Sequence, residues 1–403
     1  MKYIILGAGP AGLAFANRIK QLGETDFLIL EKEEEAGGLC RSVEVDGSPF
    51  DIGGGHFLDV RRPVVTGFLF DFMPEEEWNL FERDSRISTG EYLINHPFEA
   101  NIWQLPPGLQ DEYLASIACA GCNTGKPKPT DFTDWIYWKL GSKIAEDYMI
   151  PYNKKMFGKN LNELGTYWLE KLPNVSYEDT KKSCEQHKAY GTQPGHAQFY
   201  YPKKYGYGEL WLRMAEKIKD NIRYNSAVGS IDFNAKSVIT ADGKKYQADC
   251  VITTIPWLEF KTITGMPDHI KESIQKLKYS SVQTEYHPGN LDIPCHWIYY
   301  PAPELSYHRI LVRHNFCPGS KGCWTETNSE RVEENSGKKH FAYMNKYAYP
   351  LNTIDKPRIM KELLDWSNGK NVIGLGRWGE HQHYNSDLTV ELAISLANEL
   401  IGK

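Results

Sequence analysis

Apolar positions change their spacing from segment to segment along the chain, and each change marks an element. Tyr3 to Leu6 form a short β-prone run, Leu13 to Leu22 follow with helical spacing, and Phe27 to Leu30 form a second apolar run closed by Glu31. Phe132, Trp135, Ile136 and Leu140 recur at helical spacing, with Thr130 as the expected cap and Gly141 as the expected end. Ile144 to Ile150 begin another helix that Pro151 is expected to stop. Gly206 to Trp211 lead into a helix to the region of Lys219, then strands at Ile222 to Tyr224 and Val228 to Phe233. A hairpin turn at Asp242-Gly243 and a buried strand Val251 to Ile255 follow, the latter ended by Pro256. Between Trp257 and Tyr349 the β-like segments are Val282 to Tyr286, Cys295 to Tyr300, Arg309 to Val312 and His340 to Tyr347. Asp355 with Pro357 opens a helix to Trp366, Val372 to Leu375 form a last parallel strand, and Asp387 is the expected N-cap of the closing helix Leu388 to Leu400.

The first runs carry the clearest chemistry. Gly7, Gly9 and Gly12 stand between strand and helix in Gly-x-Gly-x-x-Gly spacing. The first permits a tight turn, the second lets a pyrophosphate approach the backbone, and the third lets helix and strand pack closely, while the helix N-terminus faces the anion. Glu31 lies about 20 residues beyond, where a carboxylate accepts hydrogen bonds from a ribose diol. Strand, glycines, helix, strand and acid in this order predict a dinucleotide site. Gly37 and Gly38 bring further N–H groups toward the pyrophosphate, Arg41 adds fixed positive charge, and the glycines before His56 let the main chain pass close to a flat ring.

Gly37-Gly38-Leu39-Cys40-Arg41-Ser42, Asp46-Gly47 and Phe50-Asp51-Ile52-Gly53-Gly54-Gly55-His56 resemble the second signature of the amine oxidase, protoporphyrinogen oxidase and UDP-galactopyranose mutase superfamily, whose loops touch FAD. Further matches are His96-Pro97-Phe98 with Asn101 and Leu105-Pro106, Ile150 to Asn153, Tyr307-His308-Arg309, Tyr349-Pro350, and Gly376-Arg377 with Asp387. Together they look most like the mutase branch, particularly its eukaryotic form and bacterial relatives. The resemblance implies an α/β fold: a Rossmann-like FAD-binding domain made of residues 1–94, 205–257 and 355–403, a mainly helical insertion at 95–204, and an antiparallel substrate sheet at 258–354. It also implies that Val228 offers a backbone contact to adenine. Gly376, Arg377, Asp387 and Leu388 would lie at the flavin, where a helix N-terminus favours negative charge on its reduced form.

The mutase resemblance assigns site roles as well. His56 would lie against the flavin near N5, and Arg309 aligns with one of two arginines that clamp a diphosphate. Lys171 stands near the place of the other and supplies charge without the bidentate fork. Tyr349 matches a substrate-positioning tyrosine, while Phe316 and His383 stand at two other tyrosine places, and His381 with His383 reads as cofactor or substrate contact. Two reactions follow from the resemblance: ring interconversion of a nucleotide sugar through N5 of reduced FAD, or hydride transfer from a small organic molecule to FAD, as in amine and porphyrinogen oxidases. The second needs an apolar cage rather than a diphosphate clamp.

Composition narrows the partners. A net charge of −6 with basic residues in isolated pairs speaks against nucleic acid. No apolar run approaches the roughly 18 residues of a membrane helix, and the apolar start reads as the first strand rather than a cleaved leader. Eight cysteines in 403 residues fit a reducing, cytoplasmic setting. Cys119-x-x-Cys122 lacks two further ligands at matching spacing, so no metal site is expected and these read as loop thiols. The expected partner is a small molecule.

Overall fold

The computed structural model describes residues 1–158, 160–169, 174–192, 197–332 and 341–402. Its centre is a parallel five-stranded sheet in the order Ile222–Arg223, Phe27–Leu30, Tyr3–Leu6, Cys250–Thr253 and Val372–Gly374. Alternate residues of these strands enter two different cores. Tyr3, Ile5, Ile29 and Ile252 pack with the helices Pro10–Gln21 and Ser386–Ile401. Ile4, Leu6, Leu30 and Val251 pack with Ile359, Met360 and Leu363 of the helix Lys356–Asn368. Burial on both faces is why the strands read as unbroken apolar runs. A small sheet of Lys245–Gln247, Ser237–Thr240, Val228–Asp232 and Thr262–Thr264 leans on the second face, with the hairpin turn at Asp242-Gly243 in place.

The second large sheet has seven strands, in the order Phe341–Pro350, Tyr279–His287, Cys323–Asn328, Arg309–Leu311, Trp297–Tyr299, Ser85–Ser88 and Leu93–Asn95. Two of its parts differ from the expectation. Residues 85–95, read above as cofactor lobe up to 94, pair into this sheet, because Ile87 and Ile94 bury their side chains in the core of the helical lobe. Cys323–Asn328 was not foreseen as a strand at all. Its sequence is largely polar, yet all six residues are buried, which polar side chains tolerate when they meet partners across a site.

The helical lobe corrects two local expectations. Asp131, not Thr130, caps the helix Phe132–Ile144, accepting the Asp134 N–H at 3.0 Å. Gly141, at φ 76° and ψ 168°, is non-helical and divides that span into two helices, so the first ends there as its glycine predicts. Pro151 does not stop a helix but sits in the first turn of Ile150–Phe157, after a π-type stretch Ala145–Met149. Proline lacks only a donor that a first turn leaves unused, so it is tolerated there. Asp387 is likewise not the N-cap. Asn385 is, and the buried Asp387 lies inside the first turn, paired with Arg62 Nε at 2.7 Å.

Candidate functional site: a dinucleotide cleft and an adjoining cavity

A cleft of about 1450 Å³ opens over the carboxyl ends of the central strands, where open α/β sheets bind ligands. Gly7 at φ 99° makes the turn, and a Cβ on Gly12 would lie 2.0 Å from the Gly7 carbonyl oxygen, so helix and strand touch there. Gly9 differs. Its backbone suits any residue, and the nearest atom to a Cβ added there would be Gly38 Cα at 3.9 Å, so the space it leaves belongs to the cleft. Glu31 is buried on the cleft wall, accepting the Ala8 N–H at 2.6 Å through Oε2 and the Glu33 N–H at 2.9 Å through Oε1. Burial pushes its pKa up, against the pull of these two bonds. Arg41 donates to Tyr343 Oη at 2.7 Å and stands 3.6 Å from Glu33, and Val228 lines the cleft beside Ser226 and Ala227. A helix N-terminus, an open glycine cradle, a ribose-distance carboxylate and a fixed guanidinium together suit the pyrophosphate and ribose of FAD.

A second cavity of about 960 Å³ adjoins the first, and Leu39, His56, Arg377 and Ser386 line both. Its walls carry Arg83, Trp297, Tyr299, Arg309, Tyr349 and His383. The structure therefore brings His56, Arg309, Tyr349, His383, Gly55 and Arg377, each singled out in the sequence, to one place. Lys171 lies outside the described residues. Gly12, Gly37, Gly54, Gly376, Asp387 and Leu388 are not among the wall residues of either cavity. Gly376 at φ 75° has its absent Cβ 2.7 Å from Ala11, which makes it a packing glycine. Two further expectations fail. Phe316 is fully buried among Phe57, Tyr201 and Trp324, because it lies in a core and not on the cavity wall. His381 is buried too, its Nε2 donating to the Lys278 carbonyl at 3.0 Å, which ties two segments of the fold together rather than meeting a ligand. Among the described residues no group of three or more His, Cys, Asp or Glu is placed to hold a metal, and all eight cysteines are free thiols.

Arg309 is braced from behind. Its Nε donates to Glu326 Oε2 at 2.9 Å and its Nη2 to Oε1 at 2.7 Å. Glu326 also accepts the Gly55 N–H at 3.2 Å, and a Cβ on Gly54 would lie 2.2 Å from its Oε1. The glycines before His56 thus make room for a buried carboxylate as well as for a ring. His308 Nε2 lies 3.4 Å from Glu326 Oε2, longer than a good hydrogen bond. Burial raises the Glu326 pKa, but the Arg309 charge and the His308 contact outweigh it and leave the carboxyl at about 2. His56 Nδ1 donates to the Gly54 carbonyl at 3.0 Å, leaving Nε2 as the acceptor. Burial, then the Arg377 charge, pulls its pKa down to about 4, so the ring is neutral near pH 7.

Arg83, Tyr299 and Glu326 were not legible in the sequence. Arg83 and Tyr299 belong to no recognised motif, and Glu326 sits in the unforeseen strand. The depressed Glu326 pKa has a measurable consequence. Its stabilising contribution is present above the unfolded carboxylate value and is lost as pH falls toward 2, a swing of about 3 kcal/mol. Chemical denaturation between pH 5 and 2 is expected to show this loss in wild type and not in Glu326→Gln; equal pH slopes in the two proteins would contradict it.

Known proteins share these parts. A family model described as an NAD(P)-binding Rossmann-like domain matches residues 5–72, and one described as flavin containing amine oxidoreductase matches residues 155–284. The coproporphyrinogen III oxidase of Mycobacterium leprae is 28% identical over 159 residues, covering 36% of this chain and 31% of the relative. The first curated relatives are matched over only 14% to 50% of their own lengths. In fold, the chain is similar to reduced UDP-galactopyranose mutase, with a TM-score of 0.89, 22% identity, and coverage of 100% of this chain and 94% of that one. It is also similar to putrescine oxidase bound to putrescine, at a TM-score of 0.65 and 14% identity, covering 100% of this chain and 99% of that one.

Proposed function

We propose that this chain is an FAD-dependent flavoenzyme of the amine oxidase and UDP-galactopyranose mutase type, that its substrate is a nucleotide sugar and that its reaction is a ring interconversion of mutase type; the amine oxidoreductase match and the mutase-like fold support the first part. The observation that carries this reading is the wall of the second cavity. It presents the guanidiniums of Arg83, Arg309 and Arg377 and, among the described residues, no carboxylate. A cationic amine is repelled by such a wall, whereas a diphosphate is held by it.

Reduced FAD supplies an electron-rich nitrogen for nucleophilic catalysis at an anomeric carbon. The chain supplies position and charge. Arg309, held in one orientation by Glu326, presents its remaining N–H groups to a phosphate. His56, neutral, offers an Nε2 lone pair where the two cavities meet, able to orient a sugar hydroxyl. Tyr349 and His383, with ring centroids 4.9 Å apart, form a wall for the sugar. Lys171 is a further cation for the diphosphate. Among the described residues no helix is long and apolar enough to cross a membrane. The free thiols and the net charge of −6 support a cytoplasmic enzyme with no nucleic-acid partner.

The test is a panel of nucleotides and nucleotide sugars added to the holoenzyme while the flavin absorbance is recorded. UDP and UDP-sugars are expected to perturb the spectrum, and Arg309→Ala to weaken them tens-fold, since breaking a buried charged contact costs about 2 to 5 kcal/mol. Arg309→Ala also strands a buried Glu326 carboxylate. The double variant Arg309→Ala/Glu326→Gln removes that charge, and is expected to recover folding without recovering affinity. Wild-type protein that binds no nucleotide diphosphate would overturn the reading in favour of hydride transfer to FAD, which the amine oxidoreductase match at residues 155–284 supports.

A further inference from the structure

The helix Ile150–Phe157 meets the substrate sheet through one face, on which Tyr152 and Lys155 lie three residues apart and so side by side. The Tyr152 ring packs on Tyr299 and His308, with centroids 5.4 and 6.1 Å away. Lys155 is only 1% exposed, and its Nζ donates to the Tyr300 and Ala302 carbonyls, each at 2.8 Å. All these partners stand at or next to the connection 300–308, which joins the strands Trp297–Tyr299 and Arg309–Leu311. Tyr299 and Arg309 are register partners at the mouth of that connection, and both line the second cavity.

A buried ammonium costs free energy that an apolar side chain of like length would not. Burial, then the Arg331 charge, pulls the Lys155 pKa down to about 8, with Glu304 acting against both. What the ammonium adds is direction: two charged hydrogen bonds run from the helix to the backbone just beyond Tyr299. The two strands are three residues each, so their pairing fixes little of the connection between them. Arg331 gathers the rest of it, its Nη2 donating to the Pro303 and Leu305 carbonyls. Glu326 thus orients the Arg309 guanidinium, while Lys155 holds the backbone beside it.

Resting on the nucleotide-sugar reading above, we propose that Lys155 is a positioning residue of the substrate cavity: it docks the connection 300–308 on the helical lobe and thereby sets where Arg309 meets the substrate. Lys155 lines neither cavity, so it acts through the residues it holds and not by contact with substrate or flavin.

The experiment is a double-mutant cycle on FAD-loaded protein, with UDP affinity read from the flavin spectrum. Lys155→Met keeps an unbranched stem and removes both donors, and is expected to weaken UDP about tenfold with flavin occupancy unchanged. In the Arg309→Ala/Glu326→Gln background the same substitution is expected to weaken UDP by less than about twofold more, because the group it positions is gone. A residue that only stabilises the fold would weaken UDP by one factor in both backgrounds. That result overturns the proposal, as does a Lys155→Met protein that binds UDP like wild type, and either leaves the nucleotide-sugar reading standing. If Lys155→Met does not purify folded, Lys155→Gln, which keeps an amide donor, enters the cycle with the same two outcomes. Wild-type protein that binds no UDP overturns the nucleotide-sugar reading itself.

Discussion

Protein carrying Gly9→Val is expected to purify folded and colourless, while wild type purifies yellow with FAD released on heating. Gly9 sits at φ −80° and ψ −177°, a conformation open to valine. Nothing but Gly38 Cα, at 3.9 Å, meets its added Cβ, so the apoprotein has room for the side chain. That room is the approach of the pyrophosphate to the N-terminus of the helix Pro10–Gln21, so the same side chain excludes the cofactor. Gly12→Ala is the contrasting variant. Its Cβ would fall 2.0 Å from the Gly7 carbonyl oxygen, so it is expected to lower the melting temperature and reduce soluble yield, not simply empty the cleft. Flavin absorbance per mole of protein and a circular dichroism melt separate the two outcomes. A Gly9→Val protein that retains stoichiometric FAD would show that the cofactor binds elsewhere than in this cleft.

The second large effect is all-or-none dependence of turnover on flavin reduction. Ring interconversion consumes no net electrons but requires an electron-rich flavin, so oxidised enzyme is expected to be inactive on a UDP-sugar. Dithionite is expected to activate it, and activity to persist without oxygen. The chain is suited to favour the reduced, anionic state. Arg377 and Ser386, the first residue of the closing helix, line the junction of the two cavities, bringing a guanidinium and the free N–H end of the helix to one place. Arg377 is fixed there by bonds to the Tyr384 carbonyl at 2.9 and 2.7 Å and to the Ala348 carbonyl at 3.1 Å. Product ratios before and after reduction, read by chromatography, decide the matter. Turnover of an amine or porphyrinogen by oxidised enzyme, with one hydrogen peroxide formed per two-electron oxidation (one per amine, three per porphyrin), would establish hydride transfer instead.

What the sequence determined by itself is the part of the molecule whose physics is local. Gly7, Gly9 and Gly12, the helix they open, and Glu31 lie within about 30 residues of one another, and each residue type answers a backbone demand that follows from chain geometry alone: a positive φ, a close helix contact, an open approach to an anion. The parallel strands were legible for a related reason, since burial on both faces leaves a continuous apolar run. Helix ends were less so. Asn385 rather than Asp387 occupies the N-cap position, with no side-chain bond to the helix, and the Asp387 carboxylate instead pairs with Arg62, far away in sequence. The second cavity was decided only by the tertiary structure. Arg83, Tyr299, Arg309, Glu326, Tyr349 and Arg377 come from separate strands and loops, and none announces its neighbour through spacing. Glu326 shows why most plainly. A carboxylate in a polar strand reads as solvent-facing until the sheet pairs that strand beside Arg309, and burial then turns an ordinary acid into the brace that orients the cavity's guanidinium.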